Sequence, residues 1–399
     1  WPQAPFFSKL DTDANYKAML HSAFEADTIT AVRVGVASHN LFEVAYALVM
    51  AHERNLFGQI QFEMLEGMAN HQRRALCELA ESMLLYAPAT RREDFVNAIG
   101  YLVRRLDENT GPQNFLRHAF KIEVGSDEWE DLEQQFLASF DRMPTLSNAP
   151  RRNQDRHVCE ESPRPLPSAE EFGGEPDTDF SLEQNLRWAE EIIERWKPLH
   201  GDRAATIPLV VGGKEILDDR DVRDCLDPSR PGVVVGRYRQ ASSEDIDQAL
   251  SCASEDPSGW RSMAPEAREE IMAKVAHELR AHRGDLVGAA LADAGKLISE
   301  SDPEVSEAID FAEYYAASAR ALRAVDGIES KPKGVIVVVP PWNFPVAIPC
   351  GGISAGLAAG NTVILKPASH TVLVAYELCK CFWKAGVPKE ALQFLPCSG

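Results

Sequence analysis

The sequence lacks the closely spaced ligands of a metal site. Its 8 cysteines are scattered, and Cys379 and Cys381 are the closest pair. No Cys-x-x-Cys pair and no His/Cys cluster with zinc spacing occurs, so we predict no metal site. Disulfides are rare where thiols are kept reduced, and this distribution favours reduced, buried thiols in a cytoplasmic protein.

Positive charge is also scarce. Lys and Arg number 41 against 61 Asp and Glu, which gives a formal net charge of −20. This excess of negative charge argues against a nucleic-acid-binding surface and against docking on anionic lipid by charge alone. The hydrophobic fraction of 45% is ordinary for a globular protein, and 399 residues suffice for two or three domains.

A membrane-spanning helix is not predicted, although residues 334–365 contain no charged side chain. Prolines at 340, 341, 345 and 349 and glycines at 351, 352, 356 and 360 would interrupt such a helix repeatedly. A strand, a loop, a helix rich in small residues and a second strand fit better. The glycines do not have Gly-x-Gly-x-x-Gly spacing, and they suit close packing of a helix on a sheet.

No signal peptide is evident, and because the first residue is Trp1 we expect that the amino end is cut.

Two apolar runs in this stretch each lead into a side chain suited to a site. Residues 335–339 lead into Pro341, Trp342 and Asn343, and residues 362–365 lead into Lys366. In an open parallel sheet the carboxyl ends of neighbouring strands meet at one edge. Taken singly, Asn343 would be a turn former and Lys366 a surface lysine. Their presence at two consecutive strand ends favours a functional site.

The chain divides at a shift in composition. Residues 1–143 alternate apolar strands, expected at 30–37, 59–65 and 83–87, with helical segments, which is typical of a βα barrel or a doubly wound sheet. Residues 144–180 are rich in proline and polar residues and are predicted to be a linker. In residues 181–399 we expect helices at 182–196, 264–283 and 303–321 and further strands at 208–213 and 233–238.

A helix starting around Arg92 carries the best candidate site of the first half. An apolar stripe, expected to be buried, contains Phe95, Ile99, Leu102, Val103 and Leu106. The other face contains Tyr101, Arg104, Arg105 and Glu108. Spacing alone favours a solvated face with an ordinary Arg104–Glu108 pair. The alternative is a clamp for an amino acid, with two guanidinium groups for its carboxylate and one carboxylate for its amine.

Residues 101–109 (YLVRRLDEN) resemble the last helix of the proline dehydrogenase barrel. Further matches follow in the expected order: SKxDTDxxY from Ser8, ASHN from Ala37, FEMLxGM from Phe62 and LYAP from Leu85. The resemblance implies the C-terminal part of a (βα)8 barrel that binds FAD.

It implies that Arg104 and Arg105 bind the carboxylate of proline and that Glu108 lies near its amine. Pocket walls would be Tyr86 and Tyr101. Flavin contacts would be Lys9, Thr12, His39 and Asn40, and Glu63 would either face the barrel lumen or cap a strand. Alone, His39 would more often be a satisfied core or loop histidine.

From about Glu175 onward the sequence resembles aldehyde dehydrogenases, in particular the branch that oxidises glutamate semialdehyde. The matching segments are EPDTDF from Glu175, DAGK from Asp293 and EVxEAIDFxxYY from Glu304. The resemblance implies the N-terminal part of a Rossmann-like fold that binds NAD. Asn343 would stabilise the tetrahedral oxyanion, Pro341 and Trp342 would line the nicotinamide side, and Lys366 would bind the ribose hydroxyls. Ser369, where many relatives carry glutamate, could assist.

Together the two halves resemble the bifunctional enzymes that oxidise L-proline to pyrroline-5-carboxylate and glutamate semialdehyde to L-glutamate. The resemblance implies those two substrates, a homo-oligomer, and a peripheral membrane contact through quinone reduction. The sequence ends before a nucleophilic cysteine and a general-base glutamate of the dehydrogenase, so we expect the chain alone to be inactive. Two alternatives stay open: a non-catalytic fragment or pseudoenzyme that oligomerises with intact copies, and a DNA-binding regulator, for which no basic module is present.

Overall fold

A computed structural model describes residues 6–119, 122–147, 149–168, 171–327 and 329–398 of the chain. They form two compact units, divided between Arg151 and Arg152. The division falls inside the predicted linker, 144–180, and later residues of that segment are bound to the second unit. Arg152 Nε donates to Asp179 Oδ2 at 2.7 Å, and Thr178 N donates to Asp302 Oδ2 at 2.6 Å. The domain boundaries at 143 and 181 stay predictions.

The first unit alternates helices and strands, as the sequence predicts. Its strands β1, β2 and β3 form a parallel sheet in that order. The strands are β1 (Val34–Ala37), β2 (Ile60–Leu65) and β3 (Met83–Tyr86). The helices are α1 (Lys9–Ala23), α2 (Ala26–Ile29), α3 (Leu41–Glu53), α4 (Asn70–Leu79), α5 (Phe95–Thr110), α6 (Phe115–His118) and α7 (Asp127–Arg142).

Alternating burial along β2 fixes which face of this sheet meets the helices. Ile60, Phe62 and Met64 are buried and pack in one hydrophobic cluster with Val44 and Ala47 of α3. Residues 61, 63 and 65 point to the other face because successive strand residues alternate. The strand expected at 30–37 was wrong at its start. Thr30 Oγ1 donates to Asp27 O at 3.1 Å, which closes the short helix α2, and the strand begins only at Val34.

The expected burial of the apolar stripe on α5 was wrong. The helix itself forms where predicted, after a short 3₁₀ turn at Arg92–Asp94. The stripe side chains are between 43% and 60% exposed: Phe95, Ile99, Leu102, Val103 and Leu106. Periodicity shows that one face of a helix is apolar, but it does not show what packs on that face. Among the described residues, no element covers it enough to bury it.

The second unit contains two sheets. One has strand order β6-β5-β11-β10-β9, in which β9, β10 and β11 are parallel, and the other has order β4-β8-β7. The strands are β4 (Ala205–Ile207), β5 (Leu209–Val211), β6 (Lys214–Ile216), β7 (Val222–Leu226), β8 (Val234–Arg239), β9 (Val335–Val338), β10 (Thr362–Leu365) and β11 (Leu392–Phe394). The helices are α8 (Glu183–Trp196), α9 (Ser243–Glu255), α10 (Pro265–Ala281), α11 (Arg283–Ala289), α12 (Ile298–Arg323), α13 (Ala347–Ala358) and α14 (Val372–Lys384).

The parallel strands β9 and β10 are followed by α13 and α14, which is the expected Rossmann-like arrangement. Every residue of β10 is buried, because this strand lies between β9 and β11. Helix α12 begins five residues before the expected start at 303, since Glu300 Oε2 accepts a hydrogen bond from Leu297 N at 3.0 Å. A π-helical turn, Ala290–Ala294, follows α11 and ends at Gly295 with φ +65°.

Candidate functional site

The loop after the carboxyl end of β1 carries two of the predicted site residues, His39 and Asn40. Asn40 Oδ1 accepts a hydrogen bond from Phe42 N at 3.0 Å and caps α3, and Ser38 Oγ accepts from Asn40 N at 3.1 Å. His39 Nε2 accepts from Leu65 N, at the end of β2, at 3.0 Å. The loop after β1 is thereby attached both to the next helix and to the neighbouring strand.

His39 presents a hydrogen-bond donor that the protein does not use. A backbone N–H can only donate, so Nε2 is the acceptor and the neutral ring carries its proton on Nδ1. This Nδ1 is buried and has no partner among the described residues. Burial lowers the pKa of His39, which favours the neutral ring. A buried donor without a partner is costly, and it fits a hydrogen-bond acceptor on a bound group.

A cavity of about 520 Å³ joins residues from separate parts of the first unit. Lys9, His39 and Asn40, predicted to contact a cofactor, lie on its wall together with Glu108, predicted to lie near a substrate amine. The loop between α5 and α6 and the first residues of α6 complete the lining. The structure thus brings these four residues to one site.

Two other predicted cofactor residues are engaged locally. Thr12 Oγ1 donates to Ser8 O at 2.9 Å at the start of α1, and Lys9 forms an ion pair with Asp13 one turn later. Glu63 lies inside β2, on the sheet face opposite to Phe62 and Met64, and its carboxylate covers Gly35 so closely that a Cβ there would collide with it. Because Glu63 is interior to its strand, it does not cap a strand end.

The predicted substrate clamp lies on the other face of α5 from the apolar stripe. Arg105 Nη2 bonds Glu108 Oε1 at 2.6 Å, and the Arg105 guanidinium lies 5.4 Å from the centre of the Tyr101 ring. Glu108 thus pairs with Arg105 and not with Arg104, which the spacing alone had favoured as its partner. Arg104 is exposed, and Tyr86, at the end of β3, is 55% exposed. Arg105 Nε is buried and has no hydrogen-bond partner in the part of the chain that the structure describes.

In the second unit, the carboxyl ends of β9 and β10 lie side by side, as predicted. Val338 pairs with Leu365, and Lys366 N donates to Val338 O at 2.9 Å. Lys366 is half-buried, while Pro341, Trp342, Asn343 and Ser369 are exposed. Trp342 and Ser369 line one cavity of about 450 Å³ together with Asp293 and Thr371. Two predicted cofactor residues from successive strand ends therefore share a site.

Two buried carboxylates behind this edge were missed as site-supporting residues. Glu304 Oε1 accepts from Val346 N at 2.6 Å and from Ala347 N at 3.1 Å, at the start of α13. Asp293 Oδ2 accepts from Leu373 N at 2.9 Å and from Val374 N at 3.4 Å, at the start of α14. Both lie in segments that carry the family resemblance, but only the tertiary contacts reveal what they bind.

Burial sets the proton affinity of one of these carboxylates. Asp293 is 3% exposed, and burial raises its pKa to about 7 although two backbone N–H groups donate to it. Cys225 lies against it and, being buried too, has a raised pKa. Asp293 can therefore take up a proton near neutral pH at the wall of the cavity.

The geometry agrees with two family matches. Residues 1–118 match the proline dehydrogenase model, and residues 217–399 match the model of the aldehyde dehydrogenase family. The chain is thus similar to one family in its first part and to another in its second part. The segment-by-segment expectation of the fold is thereby confirmed.

Relatives of the second segment include 1-pyrroline-5-carboxylate dehydrogenases. The protein of that name from Geobacillus sp. (strain WCH70) is 36% identical over 235 residues, which are 56% of this chain and 45% of the relative. Its counterpart from Staphylococcus haemolyticus is 34% identical over the same shares. A Thermus 1-pyrroline-5-carboxylate dehydrogenase structure with bound NAD gives a TM-score of 0.53 at 33% identity, covering 57% of this chain and 46% of that one. The chain spans less than half the length of these relatives.

Two solved structures match along the whole chain. Proline utilization A from Bdellovibrio bacteriovorus, inactivated by N-propargylglycine, gives a TM-score of 0.80 at 28% identity and covers 100% of this chain and 40% of that one. Proline utilization A from Corynebacterium freiburgense gives 0.69 at 31% identity, with 100% and 34% covered. The chain is thus similar to proline utilization A in both of its segments and in their order.

Four cysteines within residues 217–399 are unsuited to nucleophilic attack. Burial raises the pKa of Cys350 to about 12, and it raises the pKa values of Cys225, Cys379 and Cys381 as well. Cys350 is fully buried in α13, and its Sγ donates to Ala308 O at 3.3 Å. These thiols are structural.

The described residues hold no cluster of three or more metal-ligating side chains. In the same part of the chain, no helix is both long enough and apolar enough to cross a membrane.

Proposed function

We propose that the chain takes part in proline catabolism as part of a bifunctional oxidoreductase. Its first segment would oxidise L-proline to pyrroline-5-carboxylate, and its second would oxidise glutamate semialdehyde to L-glutamate. The observation that carries this proposal is the order of the two family segments, since proline utilization A has similar structure along the whole chain. The chain spans only part of its relatives, and the proposal concerns the protein that carries it.

For the first reaction, α5 supplies charges complementary to a cyclic amino acid. Arg104 and Arg105 would bind the carboxylate of proline through charge-assisted hydrogen bonds, and Glu108 would lie near its amine. Rings of Tyr86 and Tyr101 would wall the pocket. Arg105 Nη2 and Glu108 Oε1 are 2.6 Å apart, so the two opposite charges that this proposal needs lie next to each other on α5.

The cavity beside Glu108 would hold the flavin, and its lining supports this assignment. The unpartnered Nδ1–H of His39 and the cation of Lys9 suit the polar and anionic atoms of such a group, with Asn40 on the same wall. Thr12 and Glu63 are not among the described residues that line this cavity, and they stay predicted flavin contacts. FAD, when bound, supplies acceptor chemistry for the hydride equivalent that leaves proline.

For the second reaction, Asn343 would donate its side-chain amide to the oxyanion formed when a thiolate attacks the aldehyde. The exposed ring of Trp342 and the ring of Pro341 would line the nicotinamide side. Lys366 and Ser369 would bind the ribose hydroxyls, which suits their positions after β10. NAD, when bound, supplies acceptor chemistry for the hydride released by aldehyde oxidation.

Two assays of the complete protein test the proposal. Purified protein should show flavin absorbance and proline-dependent dye reduction, and it should form NADH when glutamate semialdehyde is added. Protein that binds flavin but carries out neither oxidation would instead support the non-catalytic alternative. Lack of both flavin and activity would refute the assignment for the first segment.

We also infer a cytoplasmic location, which the eight unpaired cysteines support because disulfides are rare in that compartment. Self-association into a homo-oligomer and a peripheral membrane contact for electron transfer to quinone complete the proposal. The family resemblance supports both, and light scattering and vesicle flotation of the purified protein test them.

A further inference from the structure

One lysine–glutamate pair contacts the backbone of the loop that carries Asn343. Lys296 follows the π-helical turn at Ala290–Ala294, and Glu304 lies in the second turn of α12. Lys296 Nζ and Glu304 Oε2 are 2.5 Å apart, and their side chains are 16% and 1% exposed. A buried ion pair of this kind persists only where further hydrogen bonds satisfy its remaining atoms.

The other hydrogen bonds of the Lys296 and Glu304 side chains go to backbone atoms of residues 343, 346 and 347. Lys296 Nζ donates to Asn343 O at 3.2 Å and lies 4.7 Å from the centre of the Phe344 ring. Glu304 Oε1 accepts from Val346 N at 2.6 Å and from Ala347 N at 3.1 Å. The pair therefore fixes the backbone at residue 343 and again at residues 346 and 347.

Asn343 needs such support more than a residue within a helix or strand would. It lies between β9 and α13, outside both, and its side chain is exposed. An oxyanion donor works only if it is already aimed at the place where negative charge develops. Small displacements of a reacting group cost large factors in rate, so an irregular loop must be fixed by its neighbours.

We infer that Lys296 and Glu304 are positioning residues, which keep the side-chain amide of Asn343 oriented toward the place where the oxyanion forms. This inference rests on the role of Asn343 under the proposed function. The pair also joins α12 to the start of α13, and an anchor of that kind alone would stabilise the fold without acting through Asn343. The two roles predict different kinetics.

The test is a double-mutant cycle in the complete protein. Lys296→Met should lower kcat for glutamate semialdehyde oxidation by roughly tenfold or more, with KM for NAD changed by less than about twofold. Asn343→Ala should lower kcat by roughly 10²- to 10³-fold. In the Asn343→Ala background, Lys296→Met should cause no further loss, because the amide it positions is gone.

Glu304→Gln and Lys389→Met are the matched comparisons. Glu304→Gln keeps the oxygen that accepts from Val346 and Ala347 but loses the charge that holds Lys296, so kcat should fall while protection of these two amides from hydrogen exchange is kept. Lys389 also pairs with a carboxylate, Glu215 at 2.7 Å, and lies 5.5 Å from the Trp383 ring, but among the described residues its side chain has no hydrogen bond to residues 343–347. Lys389→Met should leave kcat unchanged.

The outcomes separate the two proposals. If losses from Lys296→Met and Asn343→Ala multiply, or if Lys296→Met is fully active, the positioning role is refuted while the function of Asn343 stands. If Asn343→Ala alone oxidises the aldehyde normally, the proposed role of Asn343 fails, and the positioning role fails with it.

Discussion

At the scale of single residues, two glycines allow α13 to lie directly on the parallel strands. A Cβ on Gly352 would lie 2.8 Å from Val338 Cγ1 on β9, and one on Gly356 would lie 2.8 Å from Val363 Cγ2 on β10. Carbon atoms that are not bonded to each other do not approach so closely. The packing role predicted from the glycine spacing is thereby confirmed, and no phosphate-binding role is needed.

Gly352→Ala should destabilise the second unit by about 1–3 kcal/mol, because the new methyl group forces Val338 or the helix to move. The free energy of unfolding in urea measures this. Gly173→Ala is the control, since nothing lies within 4 Å of a Cβ at that position. Equal unfolding midpoints for the two variants would contradict the close packing.

Asp293 makes the stability of the second unit depend on pH. Its folded pKa, raised by burial to about 7, lies above the ordinary value of 3.8 expected in the unfolded chain, so the folded state binds the proton more tightly. The stability that it contributes is fully present below the unfolded pKa and is lost as pH rises through about 7. Asp293→Asn should therefore gain stability relative to the parent as pH rises from about 4 to about 7.

Urea unfolding of both proteins across that pH range measures the difference. Asn keeps an oxygen that can accept from Leu373 N and Val374 N, so the start of α14 stays capped. A stability difference that does not change with pH would show that Asp293 titrates normally in the folded protein.

At the scale of elements, capping side chains decide where several helices begin. Ser242 Oγ accepts from Asp245 N at 3.3 Å, and Asp245 Oδ2 accepts from Ser242 N at 2.8 Å, which is a reciprocal cap on α9. Arg220 Nε bonds the same carboxylate at 2.6 Å and, as its main partner, lowers the pKa of Asp245 to about 2. The cap thus also ties α9 to the turn before β7.

Ser242→Ala should cost about 1 kcal/mol in the free energy of unfolding, because Asp245 N loses its acceptor. Ser251→Ala, in the same helix, is the control. Ser251 Oγ donates to the exposed Glu255 at 2.9 Å and to no other described residue, so its loss should cost less than about 0.5 kcal/mol. Similar costs at both positions would argue against the cap.

The sequence predicted elements well where periodicity was unbroken. Residues 59–65 alternate and residues 363–365 are apolar, and both segments form strands. It failed at Thr30, where a side-chain hydrogen bond to the backbone ends a helix inside an apolar run. It also failed for the stripe on α5, since burial depends on partners that a single helix does not specify.

At the scale of the whole molecule, contacts between residues that are distant in sequence could not be predicted from the sequence alone. The Lys296–Asn343 contact spans 47 positions and the Glu304–Val346 contact spans 42. Residue type and local spacing carry no information about such pairs. Strand-end positions such as Asn343 and Lys366 were predictable, because parallel sheets place successive carboxyl ends together. The residues that support these positions were not.

The most direct test of the account replaces both Arg104 and Arg105 by Met in the complete protein. Two charge-assisted hydrogen bonds, each of about 1.5–3 kcal/mol, would be lost, so kcat/KM for proline should fall by roughly 10²- to 10⁴-fold. Glutamate semialdehyde oxidation should stay unchanged. Arg91 and Arg92, which are also adjacent in sequence and are both exposed, give the control pair, whose replacement by Met should leave proline oxidation intact. Undiminished proline oxidation by the Arg104/Arg105 double variant would contradict the account.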